Sequence, residues 1–254
     1  MSDPREPVIL VCNDDGIFSP GIRALAEVSD EFGEVHIIAP DREQSAAGHA
    51  VTVNTPLRSR SFQIDGRFNG QAVTGTPADS IKLAHDQLMK RKPDLVVSGI
   101  NHGSNAGINI LYSGTVSAAT EGTILGYPSI AISCTDYDEE ADLSGAKEAA
   151  RKVIRYVLNQ GLPKGITMNL NVPAGPLKGI KWARQANSRY VEEFEGRVDP
   201  NNRSYYWMTG KLELLDEGED LDVNVLEKGY ASLTPIQYDM TAYNLLKQNQ
   251  DIEL

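Results

Sequence analysis

The sequence predicts an α/β fold: a mainly parallel, Rossmann-like sheet with helices on both faces, followed by a C-terminal β-rich arm. Three observations carry that expectation. Apolar runs of strand length alternate with amphipathic helical stretches through the first two-thirds of the chain. Several of these runs end in polar or glycine-containing stretches of the kind that leave a sheet. Beyond about Pro173 the helical periodicity stops, and strand-like pieces separated by turns take over.

Residues Val8–Cys12 form the first strand, and two adjacent carboxylates, Asp14 and Asp15, follow at its C-terminal tip. Ser19-Pro20 starts a helix, with serine as N-cap and proline at the first helical position. Ile22, Leu25, Ala26 and Val28 give that helix one apolar face. Residues 35–39 are the second strand, closed by Pro40. Gly75-Thr76-Pro77-Ala78-Asp79 opens another helix, in which Thr76 caps and Asp79 answers three residues later. Residues 95–98 form a strand entering a glycine-rich loop, and residues 116–125 a helix of small residues. A strand at 129–133, a helix at 146–159 ended by Gly161, and a strand at 166–170 complete the alternation.

Further on, residues 179–184, 204–208 and 230–234 read as strand-like pieces, interrupted by an acidic stretch at 213–222. Residues 241–248 resemble a short helix. The expected division is therefore a core at 1–174 carrying the site and a hairpin arm with a C-terminal segment at 175–254. The arm is not an independent domain, and it is suited to pairing with another copy of the chain.

Bulk composition narrows the function classes. The chain has 254 residues and a net charge of −11, from 24 basic and 35 acidic residues. Coating duplex nucleic acid requires Lys and Arg to replace phosphate counterions, so that class is set aside. A small phosphorylated ligand remains open, because a cation and backbone amides hold phosphate locally. No apolar run approaches membrane-spanning length and no secretion signal opens the chain, so the expected location is cytoplasmic, away from membranes. Cys12 and Cys134 sit in or beside apolar runs and read as reduced core thiols.

Four stretches could carry chemistry. Asn13-Asp14-Asp15-Gly16 is either a tight turn or a cation site between two mutually repelling carboxylates. The loop from Ser98 to Gly107 is either a plain connection or a place where backbone amides approach an anion. It matches neither a dinucleotide fingerprint nor a Walker loop. Ser113-Gly114-Thr115 is either an ordinary helix cap or an anion site at a helix N-terminus. The loop after the second strand brings Ser45 to the same sheet edge.

Together, these stretches set Asp14, Asp15, Ser45 and Asn101 on one edge of one sheet. All four offer oxygen, the donor that hard divalent ions such as Mg²⁺ or Mn²⁺ prefer. Such an ion beside a Gly/Ser/Thr anion site suits phosphate-ester chemistry.

At this point the chain resembles the SurE family of stationary-phase survival proteins. The resemblance lies in Asn13-Asp14-Asp15-Gly16, in Pro40-Asp41 with Gln44-Ser45, in Gly75 to Asp79, in Ser98-Gly99-Ile100-Asn101-x-Gly103-x-Asn105, in Ser113 to Ala119, and in Gly229 to Pro235. These motifs stand in the family's order from about Val8 to Thr234. The resemblance implies a metal-dependent phosphatase of nucleoside 5′- and 3′-monophosphates with a further activity on short polyphosphate. It implies one divalent ion per subunit held by Asp14, Asp15, Ser45 and Asn101. It also implies a homodimer or homotetramer that exchanges C-terminal segments. One departure is that Leu221 precedes Asp222 where the family usually has threonine.

In the mechanism so implied, Asp14 and Asp15 anchor the ion, and Asp15 also orients the attacking water. Asn13, Ser113, Gly114 and Thr115 hold phosphate oxygens through amides and hydroxyls. His102 and His49 are candidates for assisting the leaving alkoxide, while His36 and His85 read as structural. A haloacid-dehalogenase-type phosphatase needs an aspartate nucleophile where this chain has Asn13, and an amide cannot form the acyl phosphate. A nucleotide-binding sensor without turnover is the alternative from another class.

Overall fold

The structure is a computed structural model that describes residues 5–250, except 65 and 139, together with residue 252. Its strands are β1 (Val8–Cys12), β2 (Glu34–Pro40), β3 (Ser59–Ile64), β4 (Phe68–Val73), β5 (Leu95–His102), β6 (Ser129–Cys134), β7 (Ile166–Val172), β8 (Ile180–Trp182), β9 (Ser188–Val191), β10 (Phe194–Val198), β11 (Ser204–Met208), β12 (Lys211–Leu214) and β13 (Ala231–Gln237). Its α-helices are α1 (Pro20–Ser29), α2 (Pro77–Leu83), α3 (Gly114–Ile124), α4 (Ser144–Gln160), α5 (Asp222–Glu227) and α6 (Tyr243–Gln248).

The main sheet has nine strands in the order β3-β4-β2-β1-β5-β6-β7-β13-β8. The run from β4 to β7 is parallel throughout. β3 pairs antiparallel with β4 at one edge, and β13 pairs antiparallel with β7 toward the other. Helices α1 and α4 pack together on one face, while α2 and α3 pack together on the other. Strand order reverses at β1, which lies between β2 and β5. Connections leave β1 and β5 toward opposite sides of that point, so a crevice opens beyond their C-terminal ends.

The local signals become elements for the reasons read from the sequence. All five residues of β1 are buried, as a central strand covered on both faces demands. Ser19 caps α1 by accepting from the Ile22 amide at 3.3 Å. Thr76 and Asp79 form a reciprocal capping box on α2. The apolar face of α1 is fully buried at Ile22, Leu25, Ala26 and Val28. Both cysteines are free and buried, and burial pushes the Cys12 thiol well up.

Three features differ from the sequence reading. The β3–β4 pair was not expected; β3 is mostly exposed and polar, so it carries no run of apolar residues. β5 does not stop at Ser98 but continues to His102 through an irregularity in its register with β6. Gly99 makes that possible: its φ is +129°, and a Cβ there would lie 2.1 Å from the Ile132 carbonyl oxygen. The span 175–254 also divides. β8 and β13 complete the main sheet, while β9–β12 form two small antiparallel pairs outside it. At the departure from the family pattern, the buried Leu221 sits at the N-cap of α5 without a capping side chain. Asp222 accepts from the Val223 amide at 2.9 Å instead.

The helix α1 lies backbone to backbone on β5, since a Cβ on Gly21 would fall 1.9 Å from the Ile100 carbonyl oxygen. Gly21→Ala is therefore expected to cost about 1–3 kcal/mol through overpacking. Gly145→Ala in α4, where a Cβ meets nothing closer than 3.8 Å, should leave stability unchanged or slightly raised. Denaturant midpoints of the two variants check this, and equal midpoints would contradict the proposed packing.

Candidate active site

The crevice at the reversal of strand order holds a cavity of about 670 Å³. Of the residues singled out from sequence, Asp14, Asp15, Ser45, Asn101 and Ser113 line it. Asn13, Gly114 and Thr115 are not among its lining residues. His102 lines it, whereas His49 does not.

Each lining group is delivered by a strand tip or a helix start. Asp14 and Asp15 follow β1, and Cys12 pairs in register with Ser98 of β5. The β5 irregularity re-aims the strand end so that Asn101 stands opposite Ser133 of β6. The Asn101 side-chain amide donates to the carbonyls of Gly103 (2.7 Å) and His102 (3.2 Å). With Nδ2 so engaged, Oδ1 is the atom Asn101 has left to offer a ligand. The loop after β2 is tied down by the Gln44 amide donating to the Asp14 carbonyl (2.7 Å) and the Gly48 amide donating to the Tyr112 carbonyl (3.0 Å). Ser45 sits between those ties and donates to Glu43 at 2.7 Å, so its lone pairs remain available.

Asp14 is only 4% exposed. Burial pushes its carboxyl up, while the Thr115 hydroxyl and the amides of Thr115 and Gly114 pull the other way. The net shift is upward, as expected of a carboxylate without a full counter-charge. The fit is close: a Cβ on Gly114 would lie 2.7 Å from the Asp14 Cβ. The amino end of α3 therefore serves Asp14 directly, and Ser113 caps the helix by accepting from Val116 at 3.0 Å. Asn13 is fully buried, and its side-chain amide donates to the Gly16 carbonyl (3.0 Å) and the Ser19 hydroxyl (2.8 Å). Asn13 thus shapes the turn that presents the two aspartates.

Sequence reasoning missed two supporting groups. Asn105, which lines the cavity, is fixed by a buried network. Its amide donates to Asn171 (2.7 Å), its side chain donates to Ser133 (2.8 Å), and Asn169 donates to its carbonyl (2.9 Å). The signal was two asparagines two residues apart in an otherwise apolar strand. The second group is Glu121, 3% exposed, which pairs with His49 at 2.9 Å and Lys82 at 2.7 Å. It ties the far end of the Ser45 loop to α3.

The cavity is acidic. Asp14, Asp15, Asp41 and Glu43 line it, against the single guanidinium of Arg42. Among the described residues no three His, Cys, Asp or Glu side chains gather as a metal cluster. A cation here would draw on two carboxylates and on the neutral oxygens of Ser45 and Asn101, a donor set that suits a hard divalent ion.

Comparison with known proteins agrees with the geometry. The family model described as "Survival protein SurE" matches residues 9–192. The chain is 51% identical over 251 residues to the 5′-nucleotidase SurE of Cytophaga hutchinsonii, covering 97% of each chain. It is 46% identical over 248 residues to the 5′-nucleotidase SurE of Christiangramia forsetii, covering 96% of this chain and 95% of that one. The crystal structure of the SurE protein from Aquifex aeolicus superposes with a TM-score of 0.82 at 40% identity, covering 95% of this chain and 98% of that one.

Burial works to raise the Glu121 carboxyl, but its bonds to His49 and Lys82 hold it below its ordinary value of 4.5. A depressed carboxyl stabilises the fold above about pH 4.5 and loses that contribution as pH falls through its folded value. Glu121→Gln should therefore lower Tm at pH 7, and the gap from wild type should shrink below about pH 4.5. Calorimetry at pH 7 and at acid pH reads it; a gap independent of pH would contradict the pairing.

Proposed function

The chain belongs to the SurE family, and on that premise we propose that it is a phosphomonoesterase. It hydrolyses nucleoside 5′- and 3′-monophosphates to nucleoside and phosphate in the cavity between Asp14 and Asn101. The observation that carries this reading is the convergence of two adjacent aspartates, Ser45 and Asn101 at the point where strand order reverses. The shared name of the relatives, 5′-nucleotidase, supports the substrate class. Short polyphosphate, which presents the same terminal phosphate, is the further substrate this reading admits.

Asp14, Asp15, Ser45 and Asn101 are the residues that would hold a divalent ion. When bound, such an ion supplies neutralisation of phosphate charge and acidification of water. The chain's own groups do the rest. Asp14 is positioned by Thr115 and the amino end of α3, so Gly114 and Thr115 act on the site through that carboxylate. Asp15 lines the same wall and orients the attacking water for in-line attack on phosphorus. Ser113, at the helix start, lines the cavity and offers the phosphate a hydroxyl. His102 lines the cavity, its ring nitrogens are buried without hydrogen-bond partners among the described residues, and it is the candidate to assist the leaving alkoxide.

We further infer self-association through the strand pairs outside the main sheet. Phe194, Tyr206, Trp207 and Met208 are all exposed on β10 and β11. An apolar cluster of this kind on a thin ribbon is suited to burial against a second copy. No helix among the described residues is long and apolar enough to cross a membrane, and the working location is the cytoplasm.

The test is phosphate release from a panel of nucleotides with Mg²⁺ or Mn²⁺. Asp15→Asn should lose about 10²-fold or more of the rate while keeping the wild-type circular dichroism and Tm. A chelator should abolish the activity. If Asp15→Asn hydrolyses normally, the ligand assignment is wrong; nucleotide binding with no phosphate release would instead identify a sensor.

A further inference from the structure

The 3-10 turn Gly107–Leu111 joins the loop that carries Asn101 and Asn105 to Ser113 and α3. It is five residues long and has no side-chain cap, so its leading amides need partners from elsewhere. Those partners come from the C-terminal third. The Gly107 amide donates to the Asp222 carboxylate (2.9 Å), and the Ile108 amide donates to the Ser188 hydroxyl (2.9 Å). The Gln185 side chain donates to the Gly107 carbonyl (2.9 Å), and the Tyr190 hydroxyl donates to the Asn109 side-chain oxygen (2.9 Å). The approach is tight, since a Cβ on Gly107, whose φ is +58°, would lie 2.6 Å from the Ser188 Oγ.

We propose that Asp222, Ser188 and Tyr190 are positioning residues for the phosphate end of the site, acting through this turn on Ser113. The inference rests on the nucleotidase reading and deepens it. None of the three lines the cavity of the candidate site, whereas Asn109 and Ser113 both do. The path between them is short. Tyr190 holds the Asn109 side chain, and the Asn109 carbonyl accepts the amides of Tyr112 and Ser113, each at 3.1 Å. One residue therefore separates β9 from the backbone of Ser113. Asp222 secures the start of the same turn. It is fully buried and accepts two further amides, from Ala186 ahead of β9 (3.0 Å) and from Val223 in α5 (2.9 Å). A single carboxylate thus fastens the turn, the approach to β9 and α5 to one another. A hydroxyl that meets phosphate must be held to a fraction of an ångström, and here the support comes from elements outside the catalytic edge of the sheet.

The experiment uses the full-length protein supplied with Mg²⁺ or Mn²⁺. Tyr190→Phe and Ser188→Ala each remove one hydroxyl, and Asp222→Asn disturbs the three-amide hub. Arg189→Gln is the control, because Arg189 lies on the same strand but pairs outward with Glu213 at 2.6 Å. In Tyr190→Phe and Ser188→Ala the KM for adenosine 5′-monophosphate should rise about fivefold, the scale of one net hydrogen bond, with kcat little changed. Inorganic phosphate should bind both variants more weakly by a similar factor, as read by calorimetry. Hydrogen exchange at the Tyr112 and Ser113 amides should quicken in both. Asp222→Asn should show the larger effect where it folds, and the two hydroxyl variants decide the matter where it does not. Arg189→Gln should match the wild type in all three measurements.

Unchanged KM and phosphate affinity in both hydroxyl variants would overturn the proposal, and a lowered Tm with unchanged phosphate affinity would reduce these residues to a structural role. An equal loss in Arg189→Gln would also overturn it, since the effect would then be a general loosening of the strand pair. Should the wild type hydrolyse no nucleotide, the nucleotidase reading falls. Phosphate binding and exchange still decide the positioning role: weaker binding with faster exchange in the variants supports it, and no phosphate binding to the wild type removes it.

Discussion

One buried carboxylate sets the layout of this molecule. Asp14 leaves the central strand where strand order reverses. Withdrawing a carboxylate from water is costly unless dipoles replace the lost hydration. The amino end of α3 provides them, with the Thr115 hydroxyl and two backbone amides directed at one side chain. Such an approach tolerates only glycine at the first position of α3. The packing of α3 against β5 and β6, and with it one whole face of the sheet, is registered to that contact.

The other parts of the site are built outward from Asp14. Its backbone carbonyl accepts the Gln44 amide, so the β2 loop is measured from the same residue. The opposite end of that loop is fastened to the Tyr112 carbonyl just ahead of α3 and, through His49, to Glu121 on α3. Across the crevice, Asn101 depends on the irregular end of β5, and Asn105 on asparagines that reach up from β7. Rigid support of this kind lets a small set of oxygens keep a fixed spacing. It also explains why the asparagines of β7 are buried in a strand that otherwise reads as core.

Much of this was legible because the relevant physics is local. The carboxylates directly after a buried run, the Ser19-Pro20 and Ser113 caps and the Thr76–Asp79 box each leave their mark within four residues. What was illegible depends on distant partners. β3 is an exposed, polar edge strand whose only reason to be extended is β4. The extension of β5 past Gly99 depends on β6, and β13 returns to pair with β7 more than fifty residues downstream. Asn13 was expected to hold phosphate oxygens, and its side-chain amide turns inward to hold the loop through partners three and six residues away. Nothing local marks Glu121, because its partners His49 and Lys82 lie far away in sequence.

The electrostatics then decide what the site has to recruit. The chain carries a net charge of −11, and the cavity itself presents Asp14, Asp15, Asp41 and Glu43 against Arg42. A phosphate monoester approaching that surface is repelled before it is bound. Helix dipoles relieve this only slightly, because the amino end of α3 is already committed to Asp14. On the proposed reading a divalent cation would resolve both conflicts together, since it would satisfy the buried carboxylate, whose affinity for protons is raised by burial, and offset the local negative charge. The upward shift at Asp14 and the surplus of carboxylates thus both fit the proposed reading, in which Asp14, Asp15, Ser45 and Asn101 would hold a hard cation.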